Sequence, residues 1–285
     1  VKDGRIKRFR APVFIDATGD GWLGYWAGAD YRYGREAASQ HNEGWDKYGE
    51  LWSPKEADNR VMGTSVLWNS ERTTEKQYFP KVPWAMPIAG KYAASKGEWF
   101  WEYSDNDLNQ IDDAETIRDH MLRAIFGSFA NAKKNPKYAP NRLKWVAYVG
   151  GKRESRRLMG DHIYDMHDAI NRREFPDAVV VEKREVDGHY QRKLKGAKED
   201  FLSTAMFHKT GGYYYIPFRS FYSRNLSNLM MAGRCFSCTH VGLCGPRVMN
   251  TCGQMGIATG FAAVLCKKHG TNPKQVGKLH IEELR

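Results

Sequence analysis

The chain has 285 residues, 41% hydrophobic and 27% charged, a balance that fits a folded globular protein rather than a disordered one. No run approaches the ~18 uninterrupted apolar residues of a spanning helix, so no membrane span is expected. The net charge of +11 comes without a long basic tail or a recognised nucleic-acid motif. That argues against nucleic acid and for a solvated surface with a few cations facing an anionic ligand.

Residues 1–10 read as the end of a β-hairpin turning at Asp3-Gly4. The apolar run Val13-Phe14-Ile15 predicts a buried strand, and Asp16-Ala17-Thr18-Gly19-Asp20-Gly21 a Gly-rich turn into a helix over 22–29. Gly19-Asp20-Gly21-Trp22-Leu23-Gly24 matches the G-x-G-x-x-G dinucleotide fingerprint. That fingerprint needs a second apolar strand ending in an acid about 20 residues on. Here the sequence around 32–36 is polar, and Trp22 and Leu23 are bulky where a diphosphate must approach. The match is therefore weighed as a decoy.

The stretch 34–212 is mixed and rich in Trp and Tyr. Asp112 and Glu115 read as a capping-box-like start of a helix whose apolar face is Ile117, Met121, Leu122, Ile125, Phe126 and Phe129. Pro136 and Pro140 stop it. A second helix is expected over 154–159, and strands at Val179-Val180-Val181 and Tyr213-Tyr214-Tyr215-Ile216. Leu229-Met230-Met231-Ala232-Gly233 predicts another short buried strand, followed by a loop over 234–247 and a helix over 250–268 that ends at Gly270. Gly253, Gly256, Gly260 and Ala263 recur on that helix at helical spacing, which lets it lie close to a sheet or a flat ligand. Cys235, Cys238, Cys244 and Cys252 cluster in one stretch, but their spacing fits no standard zinc or iron–sulfur pattern. No metal site is expected, and a buried, redox-neutral role is favoured for them.

Several blocks, in order, carry a resemblance. VFIDATGDG (13–21) continues through Trp26-Ala27-Gly28-Ala29 and Gly34-Arg35-Glu36. GKRESRRLMGD (151–161), Tyr215-Ile216-Pro217-Phe218-Arg219-Ser220, NLMMAGRCFSCTH (228–240) and Arg247-Val248-Met249-Asn250-Thr251-Cys252 follow. Together they are similar to bacterial FAD-dependent oxidoreductases related to heterodisulfide reductase, within the glutathione-reductase-like flavoproteins. Trp22 stands where that family has an acid. The resemblance implies FAD and an α/β fold, with part of a glutathione-reductase-like FAD-binding domain built from 1–33 and 213–285. An inserted mixed α+β substrate domain would span 34–212. It also implies a strand, Gly-rich turn and helix ahead of residue 1 for the ADP half of FAD. A missing N-terminal segment of the same protein is thus an expected partner, beside a small-molecule substrate and a second copy in a homo-oligomer.

On that resemblance Thr18, Gly19 and Asp20 approach the cofactor. Gly233 and Arg234 take the place against the ribitol and pyrophosphate, where a guanidinium offers paired donors. The helix opening near Asn250 aims backbone N–H groups around Thr251, Cys252 and Gly253 at the flavin's pyrimidine end. Arg153, Arg156 and Arg157 form one charged block at helical spacing, suited either to an anionic or polyhydroxyl substrate or to inter-domain ion pairs. His240 is the candidate base, with Arg219 and Arg247 orienting substrate. The expected reaction is hydride transfer between a small organic, carbohydrate-like substrate and flavin N5. Two alternatives stay open: a non-catalytic fragment or subunit that needs an N-terminal partner for its cofactor, and a cysteine-based redox or iron–sulfur protein.

Overall fold

A computed structural model describes residues 4, 6–44, 47, 49, 52–97, 99, 101–103, 108–191 and 201–285. The described elements begin with β1 (Phe14–Asp16), α1 (Trp22–Ala27), β2 (Tyr31–Arg32), α2 (Ala38–His41), β3 (Trp68–Arg72), α3 (Ala114–Lys133), β4 (Asn141–Val146) and β5 (Arg157–Leu158). They continue with α4 (Met166–Ile170), β6 (Ala178–Glu182), β7 (Val186–Gln191), β8 (Ser203–His208), β9 (Tyr214–Pro217) and β10 (Leu229–Met231). Four helices close the chain: α5 (His240–Leu243), α6 (Met249–His269), α7 (Pro273–Leu279) and α8 (Ile281–Leu284). This mixed content fits the α/β class. No described helix is long and apolar enough to cross a membrane. Part of the expected hairpin, residues 1–3 and 5, lies outside the described residues, and 6–13 carry no strand.

The chain divides into two compact units. The first comprises Val1–Arg32, Arg156–Arg184 and Lys209–Arg285. Its central feature is the parallel pair β1–β10, with Phe14 opposite Leu229 and Asp16 opposite Met231. Leu158, Ala29, Leu229, Met231 and Cys235 form the apolar cluster beside this pair. β6 pairs antiparallel with β9, and α6 packs on β6. The last turn of α6 carries Lys267 and Lys268, cations at the negative end of the helix dipole, and ends at His269. Asn272 then opens α7 with a capping box, its side chain accepting the Gln275 N–H at 2.9 Å.

The helix expected over 154–159 is absent. Arg157–Leu158 is a strand, β5, paired antiparallel with β2. Both residues are fully buried, Leu158 in the apolar cluster and Arg157 with its Nε donating to the Cys238 carbonyl at 3.1 Å. Tertiary packing here overrides the charged, helix-compatible local sequence. Residues 156–184, which the sequence reading places in the insert, group with the chain's two ends in this first unit.

The second unit comprises Tyr33–Ser155 and Glu185–His208. α3 buries Ile117, Met121, Ala124, Ile125 and Phe129 completely, the face its periodicity predicts. Trp68, Met86, Ile88, Trp101 and Phe201 complete that core. The predicted capping box is not what starts α3. The Asp113 side chain makes no cap bond to the helix; it accepts the Asn109 N–H at 2.8 Å, while Asn109 Oδ1 accepts from Ile111 and Asp112. The turn ahead of the helix is closed instead. β3 pairs antiparallel with β4, with a bulge between Asn69 and Ser70, and β7 with β8.

One buried charge cluster organises this unit. Glu102 Oε1 accepts from the Gly63 N–H at 2.5 Å, and Oε2 accepts from Ser203 Oγ at 2.7 Å. His189 Nδ1 lies 2.7 Å and Arg153 Nη1 3.4 Å from the same Oε2. Burial alone pushes the Glu102 carboxyl up, but the Arg153 charge and the His189 and Ser203 hydrogen bonds outweigh it and hold it below the usual carboxylate range.

Candidate functional site

The first unit brings the ends of β1 and β10 together, because the Ala232 N–H donates to the Asp16 carbonyl at 2.9 Å. Asp16 is fully buried. Its Oδ1 accepts from the Thr18 N–H at 3.0 Å and from Thr18 Oγ1 at 2.7 Å, and its Oδ2 accepts from the Gly24 N–H at 2.8 Å. Thr18 Oγ1 in turn accepts the Trp22 N–H at 2.9 Å, so one carboxylate and one hydroxyl fix the turn and the start of α1. The sequence reading missed Asp16, although an acid closing an apolar run two residues before a Thr is the signal for such a turn.

Gly19 sits on this turn at φ 78°, and a Cβ there would stand 2.9 Å from Arg234 Nη2. Both the backbone and the close approach require glycine. Arg234 Nη2 donates to Asp20 Oδ1 at 2.9 Å. Gly233, at φ 87°, has open space where a Cβ would stand. Five predicted site residues, Thr18, Gly19, Asp20, Gly233 and Arg234, therefore meet in one place. Arg156 joins them: its Nη1 donates to the Asp20 carbonyl at 3.4 Å, and its guanidinium lies 3.9 Å from the Tyr25 ring centroid and 4.6 Å from that of Trp22. Two guanidiniums thus meet at Asp20, one paired with its carboxylate and one with its carbonyl.

The dinucleotide fingerprint is a decoy in this geometry. Gly24 is small because Leu158 packs on it, with a Cβ there only 2.5 Å from Leu158 Cδ1. The strand that follows α1, β2, pairs antiparallel with β5 rather than parallel beside β1.

α6 begins ahead of the predicted donors. The Cys252 N–H already donates to the Val248 carbonyl at 3.0 Å, so the N–H groups outside the helical ladder are those of Met249, Asn250 and Thr251. Of the expected trio, Thr251 alone falls in this set; Cys252 and Gly253 lie within the ladder. The Thr251 hydroxyl donates to Glu182 on β6. Gly253, Gly256 and Gly260 have open space where a Cβ would stand.

The remaining predicted residues are placed as follows. Arg153 belongs to the second unit, where its guanidinium bonds the Gly63 carbonyl, Ser65 Oγ and the Trp99 carbonyl at 2.9, 2.9 and 2.6 Å. Arg156 and Arg157 go to different partners, Arg156 to the Asp20 carbonyl and Arg157 to the Cys238 carbonyl, so no helix sets these two on a shared face. Arg219 is ion-paired to Asp177, Nε to Oδ2 at 3.0 Å. His240 is buried as the first residue of α5, behind Thr239, whose Oγ1 accepts the Gly242 N–H at 2.9 Å. The Arg247 N–H donates to the Leu243 carbonyl at 3.2 Å.

No disulfide joins the cysteines among the described residues. Burial, then the Asp16 charge, pushes the Cys235 thiol up to about 12, and burial raises those of Cys252 and Cys266. Such thiols stay protonated at neutral pH and are poor nucleophiles.

In their donor types the residues present fit a phosphate-bearing cofactor: two guanidiniums at a glycine-containing turn, and a long helix opening nearby in sequence with N–H groups outside its ladder. A search of the curated proteins and one of the solved structures gave no match. The family model for FAD dependent oxidoreductases matches residues 1–285, the chain from end to end. With FAD as the cofactor that this match carries, the chain belongs to the FAD dependent oxidoreductase family.

Proposed function

We propose that the turn after β1 and the residues after β10 hold the FAD, and that the chain moves hydride between a small organic, carbohydrate-like substrate and flavin N5. One observation supports this reading: Arg234 lies over Gly19 and bonds Asp20, so two segments far apart in sequence meet at one turn. Arg234 holds the pyrophosphate, its planar fork matching phosphate oxygens. Thr18 and Gly19 would offer backbone to the cofactor, and the first N–H groups of α6 would stabilise negative charge gained by the ring. Flavin supplies the two-electron carrier when bound. Arg156 is the arginine best placed to meet substrate, since it faces the same Asp20. His240 takes the substrate's hydroxyl proton, and Arg247 orients the substrate; Arg219, committed to Asp177, acts by positioning. The sequence blocks support a place near the bacterial relatives of heterodisulfide reductase, with the first unit as the flavin domain and the second as the substrate domain.

The test is the flavin content of the purified protein. FAD should be released on denaturation from the unaltered chain and be depleted in Arg234→Ala, with circular dichroism showing that the variant is folded. Bleaching of the bound flavin by a polyol panel without oxygen tests the substrate class. Equal FAD content in both proteins would remove Arg234 from the site.

A second reading has its own support. Met249, Ile257, Phe261 and Val264 are exposed along α6, and among the described residues β1 has no second strand partner. A parallel pair this short is stable when flanked and covered. On this reading a further segment of the same protein completes the sheet and is needed for tight FAD binding. A chain that gains FAD affinity only when that segment is supplied supports it.

A further inference from the structure

We propose that His269, His280 and Glu283 form a surface site for a divalent transition metal, with zinc as the occupant, that pins α7 and α8 to the end of α6. The three residues come from three places: the last residue of α6, the junction between α7 and α8, and α8 itself. One ligand atom from each lies within 4.8 Å of the others. His269 Nε2 is 2.8 Å from Glu283 Oε2. The His269 and His280 rings stack with centroids 3.8 Å apart and planes 5° from parallel.

Two neutral imidazoles and one carboxylate are a donor set that zinc takes in tetrahedral sites, with the fourth position left to water. Ligand atoms around such an ion stand about 3.3 Å apart, given bonds of ~2.0–2.1 Å, so His269 and Glu283, now 2.8 Å apart, must part slightly while His280 adjusts to them. Ring lone pairs lie in the ring plane, so the stacked histidines must tilt toward one another on binding. The site sits at the C-terminal end of a 21-residue helix, where the dipole favours a cation. Lys268 opposes the metal, because its ammonium holds the other Glu283 oxygen. That positive charge beside the ion repels it, and this sets a clear expectation for its removal.

The experiment uses the untagged 285-residue chain, stripped with chelator and titrated calorimetrically with zinc chloride, with Tm read in parallel. The proposal predicts a zinc site whose affinity falls at least about tenfold in His280→Ala, and in Glu283→Gln, and rises in Lys268→Ala. Tm should climb by about 2–4 °C with saturating zinc in the unaltered chain and stay fixed in His280→Ala. Circular dichroism of the three variants establishes that each is folded. Zinc affinity and Tm response that are the same in His280→Ala as in the unaltered chain would overturn the assignment, as would the absence of zinc binding.

Discussion

A Cβ at residue 19 would meet the Arg234 guanidinium at 2.9 Å on a backbone at φ 78°. Gly19→Ala is therefore expected to move Arg234 and to cost about 1–2 kcal/mol in backbone strain. Its FAD affinity should drop about tenfold or more, the weight of one charge-assisted hydrogen bond, as read by quenching of flavin fluorescence. Asp16→Ala acts on the same turn from beneath: three donors lose a fully buried acceptor. Unfolding in urea should show a loss of about 2–3 kcal/mol. Individual residues were partly legible in the sequence. Turn glycines mark strand ends, and the family resemblance of the blocks around them implies Thr18, Gly19, Asp20, Gly233 and Arg234, which the fold then gathers. Asp16 reads in the sequence only as the first residue of the turn, and its role as the buried acceptor that holds the turn comes from the fold. The arginine block misled because 153–157 was read at helical spacing while 157–158 is strand.

Helical glycines probe the elements, because two of them have opposite surroundings. Gly127 on α3 lies against the Met86 carbonyl, where a Cβ would stand 2.1 Å away. Gly127→Ala gains about 1 kcal/mol of helix propensity yet should be destabilising overall, since overpacking a filled core costs about 1–3 kcal/mol. Gly256 on α6 has open space, so Gly256→Ala should stabilise the flavin-free protein by up to about 1 kcal/mol. Thermal unfolding of the pair should give shifts of opposite sign. The long helices were legible because four or more turns of consistent periodicity leave no other reading. The two-residue strand β5 was not, since its pairing partner β2 is remote in sequence and its own residues are helix formers.

Across the whole molecule, the α/β class was readable through the family resemblance, and the mixed strand and helix content agrees with it. The grouping of 156–184 with the first unit was not readable, because it rests on β2–β5 pairing that no local pattern announces. The second unit carries an acid-sensitive element at its centre. Glu102 has a depressed folded-state pKa, so its contribution is fully present above the unfolded value of about 4.3 and is lost as pH falls through the folded value. The unaltered chain should lose stability below about pH 4. Glu102→Gln should be less stable by roughly 3–5 kcal/mol at neutral pH, because Arg153 is left without its carboxylate, and should show a shallower acid limb. An unchanged acid limb in this variant would count against the network.

If Arg234 grips the phosphates of FAD, its removal must matter only for ligands that carry phosphate. Titrating FAD and riboflavin, which has no phosphate, into the unaltered chain and into Arg234→Ala separates that role from a general loss of the pocket. FAD binding should weaken at least about tenfold in the variant, with riboflavin binding nearly unchanged. Equal losses for both ligands, or no loss for FAD, would show that the guanidinium does not hold the phosphates.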